Sequence, residues 1–365
     1  MDLTIKETLA GFKLLSKQKQ VAIAGILGGL LAETASTPLH WIYKREVLEN
    51  ILGDKNPEFF AQNKNPFYTV EKGHHSPYGD LLITGIQAVS NYSNNPQKKD
   101  YVATLVNNFA PQSCPYQVAY KNRLAYKEKL TQNKGAWEVP VQGPWLNSSM
   151  LTFLNNIDKN KEQQQQDLGD QKLMDSDGFC LALPQILNFL GKSSALGQDQ
   201  SLLIYDVIKI LNCNQDNIAF NTVQIKILES VFQQAIDGKF NLDKIIFTAK
   251  NGSANTQVLQ AVTAVMSRAS EDFINSVETY GKACPNPGNF SSCLHLIIQA
   301  FKDDKINFVE GVRKNIMAGG DNCSRAVFIG AVLGMKDGLQ GIPEEWIEQV
   351  HNHKAILKEI QNIFI

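Results

Sequence analysis

The sequence predicts an all-α protein built as a single compact multi-helix domain, and three observations carry that prediction. Apolar residues recur at three- and four-residue spacing over long stretches; in Phe220–Ile236 (FNTVQIKILESVFQQAI) they trace one face of an amphipathic helix. The same period runs through Leu202–Leu211, Gln257–Met266, Phe290–Phe301 and Ala326–Met335. Alternating apolar and polar stretches of strand length are rare. Breakers also fall between the periodic stretches: Asn94–Asn95–Pro96 after a helix over Leu81–Tyr92, and Cys284–Pro285–Asn286–Pro287–Gly288 as a turn.

In chain order, residues 1–18 are expected to form a flexible N-terminus. Gly25–Tyr43 (GILGGLLAETASTPLHWIY) follows as a tightly packed core helix. Gly25, Gly28 and Gly29 permit a close neighbour, which only a missing side chain allows, and Pro38–Leu39–His40–Trp41 is the exit. Tyr78–Gly79–Asp80–Leu81 opens an apolar helix, where a carboxylate serves as a cap for free backbone N–H groups. Gly135–Pro144, with Trp137, Pro140 and Gly143, is an irregular connection. The tract 159–170, with four consecutive glutamines, is read as a disordered loop inserted in one domain spanning 1–365. Asp175–Ser176–Asp177–Gly178 again leads an apolar helix with a capping carboxylate.

Composition narrows the function classes. A chain of 365 residues, 43% hydrophobic, can bury a large core without staples. Thirty-five basic residues against 36 acidic ones leave a net charge of -1, which argues against a nucleic-acid partner, since phosphate tracking needs a basic stripe. The six cysteines include no CxxC pair and read as reduced thiols. The opening MDLTIKETLAGFKLLSKQKQ mixes acids with lysines, unlike a targeting peptide, and the apolar run Val21–Ala32 is about half the length of a membrane span. No membrane association and a cytoplasmic location are expected. P-loop, Rossmann and serine-elbow fingerprints are absent from the sequence.

The sharpest motif is Gly319–Gly320–Asp321–Asn322–Cys323–Ser324–Arg325, followed by a helix studded with Gly and Ala. One polar residue suffices for a cap; four in succession at the head of a buried helix point to a ligand or metal site. Gly319, Gly320, Asn322 and Arg325, with Asp177, are therefore candidate ligand-binding residues, Arg325 as a phosphate partner or else a surface ion pair. Lesser constellations are His74–His75, read as a loop near the cleft mouth, and Cys323 with His40, a nucleophile pair lacking an orienting group. Trp41, Trp137 and Trp145 are core or cleft walls.

These motifs resemble the ADP-ribosylglycohydrolase family. Gly319–Ser324 with Gly338–Trp346 is similar to that family's Gly-Gly-Asp-x-Asp-Thr segment and Ile-Pro-x-x-Trp tail. Gly25–Tyr43 resembles its N-terminal helix, Tyr78–Leu81 its Thr-Asp-Asp-Thr segment, and Asp175–Pro184 its central Asp-Gly segment. Pro38–Leu39–His40–Trp41 and Asp321–Asn322–Cys323–Ser324 look more like the lens J-crystallin branch than the hydrolases proper. The resemblance implies an all-α fold around two Mg²⁺ ions that hold an ADP-ribosyl ribose. Residue by residue, it also implies a damaged site. His40 stands at the N-terminal carboxylate position, with Glu33 close by; Tyr78 and Gly79 replace a threonine and an aspartate; Cys323 replaces the second aspartate. Mg²⁺ needs hard oxygen ligands in near-octahedral geometry, so no magnesium, and no cofactor, is expected unless the family site survives.

Three readings stay open. The first is a pseudoenzyme, a structural or binding subunit with protein partners or an ADP-ribose-like ligand; a cytoskeletal or ciliary assembly would suit it, though no residue points there. The second is a hydrolase of ADP-ribosyl bonds with altered or absent metal, using a remnant site of Asp80, Asp321 and Ser324, with Asp177. The third is a zinc site of His40, Asp80, Asp321 and Cys323, since zinc accepts N, S and O ligands.

Overall fold

Helix follows helix throughout the computed structural model, which describes residues 4–92, 96–111, 114–118, 121, 140–160, 168–303 and 305–365. In chain order the helices are α1 (Ile5–Lys13), α2 (Lys17–Ser36), α3 (Arg45–Leu52), α4 (Pro77–Asn91), α5 (Lys98–Phe109) and α6 (Ser148–Asn160). They continue as α7 (Asp177–Ser193), α8 (Gln198–Ile208), α9 (Gln215–Asp237), α10 (Leu242–Asn251), α11 (Thr256–Ser267) and α12 (Phe273–Tyr280). The last five are α13 (Gly288–Lys302), α14 (Phe308–Met317), α15 (Asn322–Asp337), α16 (Glu344–Glu348) and α17 (His353–Phe364). Each stretch with helical period falls on one of these, although Leu202–Leu211 runs past the end of α8 at Ile208. The two strands named among the described residues, β1 (Tyr68–Thr69) and β2 (Val141–Gln142), pair in parallel, Tyr68 opposite Val141.

The centre is the crossing of α2 and α15. A Cβ added at Gly28 would lie 2.2 Å from the Gly330 carbonyl oxygen, and one at Gly330 would lie 2.3 Å from that of Gly28. Gly334 meets the Ala24 carbonyl in the same way, at 2.3 Å. Backbone touches backbone here, so any side chain would force the helices apart. With neighbours all round, α2 is buried from Val21 through Ser36. Its apolar composition would suffice to cross a membrane, but the whole apolar window is enclosed by the fold. Helix α7 packs on α2 through Leu187 and Leu183 over Gly25 and Gly29, and α4 meets α7 where Gly85 faces the Leu181 carbonyl. One continuous hydrophobic cluster joins all four, each fully buried aliphatic or aromatic side chain contributing about 1.5–3 kcal/mol.

One expectation changes. Residues 5–13 are not a loose tail: they form α1, closed by a capping box between Thr4 and Glu7, with Leu9 and Phe12 in the core. The spacing places those apolar groups on one helical face, a pattern outweighed in the sequence by the mixed charges around it. Of the glutamine-rich insertion, 161–167 lie outside the described residues, as do Trp137 and Asn94–Asn95. Near the C-terminus Trp346 is buried between Phe59 and Phe308, with ring centroids 5.5 Å away in each case.

The crossing yields a test. Gly330→Ala should lower stability by about 2–4 kcal/mol in denaturant titration, because its methyl meets a carbonyl that cannot yield. Gly11→Ala, where nothing lies within 4 Å of the added Cβ, should be neutral or stabilise by up to about 1 kcal/mol.

Candidate functional site

The four central helices bring their ends together. The C-terminal end of α2 and its exit (Glu33 to Trp41) meet the N-terminal ends of α4, α7 and α15. Helix N-termini present free N–H groups and partial positive charge, so they favour carboxylates, and Asp80, Asp177 and Asp321 lie at those three heads.

Asp321, 1% exposed, caps α15 by accepting the Ser324 N–H at 3.2 Å. Its remaining acceptor capacity is met by side chains from two other segments. His40 Nε2 lies 2.9 Å from Oδ1, while Trp41 Nε1–H and the Tyr78 hydroxyl donate to Oδ2 at 3.0 and 3.1 Å. Because a carboxylate only accepts, His40 Nε2 carries a proton, and Nδ1 is satisfied by the Tyr68 hydroxyl at 2.9 Å. Burial alone would push the Asp321 carboxyl up. The charge and hydrogen bond of His40, the Trp41 N–H and the Arg325 guanidinium reverse this and hold it at about 2.

The backbone explains how His40 and Trp41 reach it. Gly319 and Gly320 both have positive φ, 67° and 64°. This lets Gly320 accept the Trp41 N–H and donate to the Ile42 carbonyl, each at 2.8 Å, while Asp321 N–H donates to Lys282 O at 2.7 Å. Trp41 itself sits at φ 63°, unusual for a bulky residue. Its indole is held at Asp321 within an aromatic group of Phe67, Tyr68 and Trp145, centroids 5.4–5.6 Å from its own. Trp41, Phe67 and Trp145 are partly exposed and form a rim.

A second cluster lies between α2 and α4. Glu33 is fully buried and accepts the Ser76 N–H at 3.0 Å. A Cβ on Gly79 would fall 2.1 Å from Glu33 Oε2, so Gly79 makes room for this carboxylate. His75, expected in a loop at the cleft mouth, is instead buried, with Nδ1 2.8 Å from Thr34 Oγ1 and 3.6 Å from Glu33 Oε2. The cap of α4 is Ser76, whose hydroxyl accepts the Tyr78 N–H; Asp80 is one turn further on and is no cap. Burial raises the Asp80 carboxyl to about 7, against the opposing pull of His75 and the Tyr116 hydroxyl bonded to it.

At the head of α7, Asp177 accepts from Asn147 at 2.7 Å and from the Ser149 hydroxyl, while Asp175 accepts from Asn212 at 2.7 Å. Burial raises both carboxyls, Asp175 to about 6, and the Asp175 charge raises Asp177 further. Neither simply caps α7.

Other predicted residues serve the fold. Arg325 is completely buried rather than on the surface: Nε and Nη2 donate to Asn315 Oδ1 at 2.9 Å and Gly319 O at 2.6 Å. Asn322 Nδ2 donates to Leu39 O at 3.2 Å, and Ser324 Oγ donates to Asp321 O and accepts from Asn289. Cys323 lies 3.7 Å from the Glu33 carbonyl and 3.8 Å from Thr37 Oγ1, its thiol kept protonated chiefly by burial. Hence the expected zinc set does not assemble. His40 and Asp321 are spent on each other, Asp80 turns to Tyr116, and Cys323 is a neutral thiol. Among the described residues no group of three or more His, Cys, Asp or Glu side chains is gathered to hold a metal ion.

Sequence reasoning did not identify Tyr68, Tyr116, Asn147, Ser149, Asn212 or Asn289 as partners, because nothing in their local spacing marks them. His75 was visible beside His74, but its burial depends on Glu33, 42 residues away in sequence.

Two tests follow. Tyr78→Phe should cost about 1–2 kcal/mol in denaturant titration by removing one donor from a buried carboxylate. The Asp80 effect has a definite sign. Its proton is held more tightly in the folded state than in the unfolded chain, so stability falls as pH rises from about 4 to about 7 and is level above. Asp80→Asn should match the wild type near pH 4 and exceed it at pH 8, by on the order of 1–3 kcal/mol in thermal melts.

Comparison with known proteins bears on the family and the fold. The ADP-ribosylglycohydrolase family model matches residues 15–364. Crystallin J1A of Tripedalia cystophora is 26% identical over 348 residues, covering 94% of this chain and 96% of the crystallin. Crystallin J1B of the same organism is 25% identical over 346 residues, with the same coverage. A solved structure described as an ADP-ribosylglycohydrolase-related protein complex superposes with a TM-score of 0.62 at 12% identity, covering 95% of this chain and 98% of that one; it bears on the fold alone. With a family model spanning nearly its whole length, the chain belongs to the ADP-ribosylglycohydrolase family.

Proposed function

We propose that this protein is a catalytically degenerate ADP-ribosylglycohydrolase-like protein acting as a structural or binding subunit. One observation carries the reading: the Asp321 carboxylate, which the family resemblance makes a metal ligand, already accepts from His40, Trp41, Tyr78 and the Ser324 N–H. A hard divalent cation would have to displace the His40, Trp41 and Tyr78 donors and leave the buried His40 and Tyr78 groups without a partner, which costs about 1–3 kcal/mol for each of those two. The other implied ligands fare no better. Tyr78 turns its hydroxyl onto Asp321, Gly79 has no side chain, and Cys323 is a protonated thiol. These residues do not fit a pair of Mg²⁺ ions, and no chemical step is assigned to such a pair here. The relatives named crystallins lend support, since J-crystallins are structural proteins derived from enzymes. On this reading the protein works through protein partners, or holds an ADP-ribose-like ligand without turning it over, in the cytoplasm.

A competing reading, a hydrolase needing no magnesium, has one observation in its favour. Asp80 stands at a partly exposed position, and burial raises its carboxyl to about 7, the property of a general acid at neutral pH. The experiment that separates the two is turnover of an ADP-ribosylated peptide with Mg²⁺, with chelator, and with Asp80→Asn, alongside calorimetry with ADP-ribose. The structural reading predicts no turnover under any condition. Turnover that survives chelator and disappears in Asp80→Asn would establish the hydrolase instead.

A further inference from the structure

Away from this polar centre, we propose that His74 and His351 form a proton-operated latch between the loop leading into α4 and the turn leading into α17. The two rings are stacked, centroids 3.8 Å apart and planes 20° from parallel. Backbone contact reinforces them. His351 N–H donates to Gly73 O at 2.8 Å, and Gly73, at φ 82°, sits so close that an added Cβ would lie 2.1 Å from the Gln349 carbonyl oxygen. Loop and turn thus fit without slack at the backbone.

The loop continues directly into the buried cluster. His75 meets Thr34 and Glu33, and Ser76 both donates to Glu33 and caps α4. Release of the latch would therefore loosen the attachment of α4 at its head, next to Asp80.

Charge gives the latch its direction. Two neutral imidazoles stack without penalty, whereas two imidazolium ions at this separation repel. The charged or titratable groups facing the pair are few. On the loop, Glu71 Oε2 lies 4.0 Å from His74 Nε2 but is 92% exposed, so it offsets the repulsion weakly, and Lys72 adds positive charge. His75 lies behind the pair. On the turn, His353 directs Nδ1 to the Val350 carbonyl at 3.0 Å. Burial, then His351 and His75, hold His74 below the ordinary histidine range, against Glu71. The latched form thus takes up a proton less readily than the open one. Falling pH favours opening, by up to about tenfold per pH unit for each proton gained.

Hydrogen exchange of the full-length chain at pH 7.5 and 5.5, corrected for intrinsic rates, tests this on the segment 70–76 and the His351 amide. In the wild type, exchange there should quicken by about tenfold at pH 5.5, with α2 and α15 unchanged. In His351→Gln and in His74→Gln the acid response should be lost while the pH 7.5 melting profile is kept; His351 is exposed, so its variant has no core to disturb. Equal protection at both pH values in the wild type would overturn the proposal, as would variants that retain the wild-type acid response.

Discussion

A buried carboxylate must be met by donors, and in this protein the need of Asp321 organises three separate stretches of chain. The exit of α2 supplies His40 and Trp41, the head of α4 supplies Tyr78, and α15 supplies the Ser324 amide. Left unmatched, such an ion would cost several kcal/mol. Matched by four donors, it fixes the register of the double glycine against the His40–Ile42 backbone and accounts for the unusual conformation of Trp41.

That arrangement is possible because α2 and α15 lie backbone to backbone. Gly28, Gly330 and Gly334 remove the side chains that would separate them, and the close crossing brings the end of one helix to the beginning of the other. The same logic operates at Gly79, whose missing side chain leaves space for Glu33. The departures from the family pattern are thus mutually adjusted. Where the resemblance implies a threonine, this chain has a phenol that donates; where it implies acidic ligands, an imidazole that donates, a thiol that stays neutral, and a gap filled by a carboxylate from a neighbouring helix. Around Asp321 the hydrogen bonds close on one another, whereas Glu33 Oε2, His75 Nε2, Asn322 Oδ1 and Arg325 Nη1 are buried without a hydrogen-bond partner.

Much of the fold was legible because it rests on local signals. The three- and four-residue period located α8, α9, α11, α13 and α15, and the glycines of α2 announced a close helix crossing. The motif at 319–325 reads as a ligand or metal site; in the structure Asp321 caps α15 and also joins distant segments. What local spacing could not give was which polar groups find one another. Arg325 reads as a surface or phosphate-binding cation until Asn315 and the Gly319 carbonyl are seen to enclose it. His75 lies in a loop, as its sequence reads, but its burial shows only when Glu33 and Thr34 are placed beside it. Asp80 and Asp177 read as caps because a carboxylate at a helix head so often is one. Their true surroundings come from packing among α2, α4 and α7, and from residues such as Asn147 and Tyr116 in the long, weakly patterned stretch between α5 and α7.

The most direct measurement is a crystal structure determined after soaking in millimolar Mn²⁺, an anomalous scatterer that stands in for Mg²⁺. The account predicts no anomalous peak at Asp321, with His40, Trp41 and Tyr78 still directed at its carboxylate. A pair of peaks coordinated by Asp321, with His40 and Tyr78 swung aside, would contradict it.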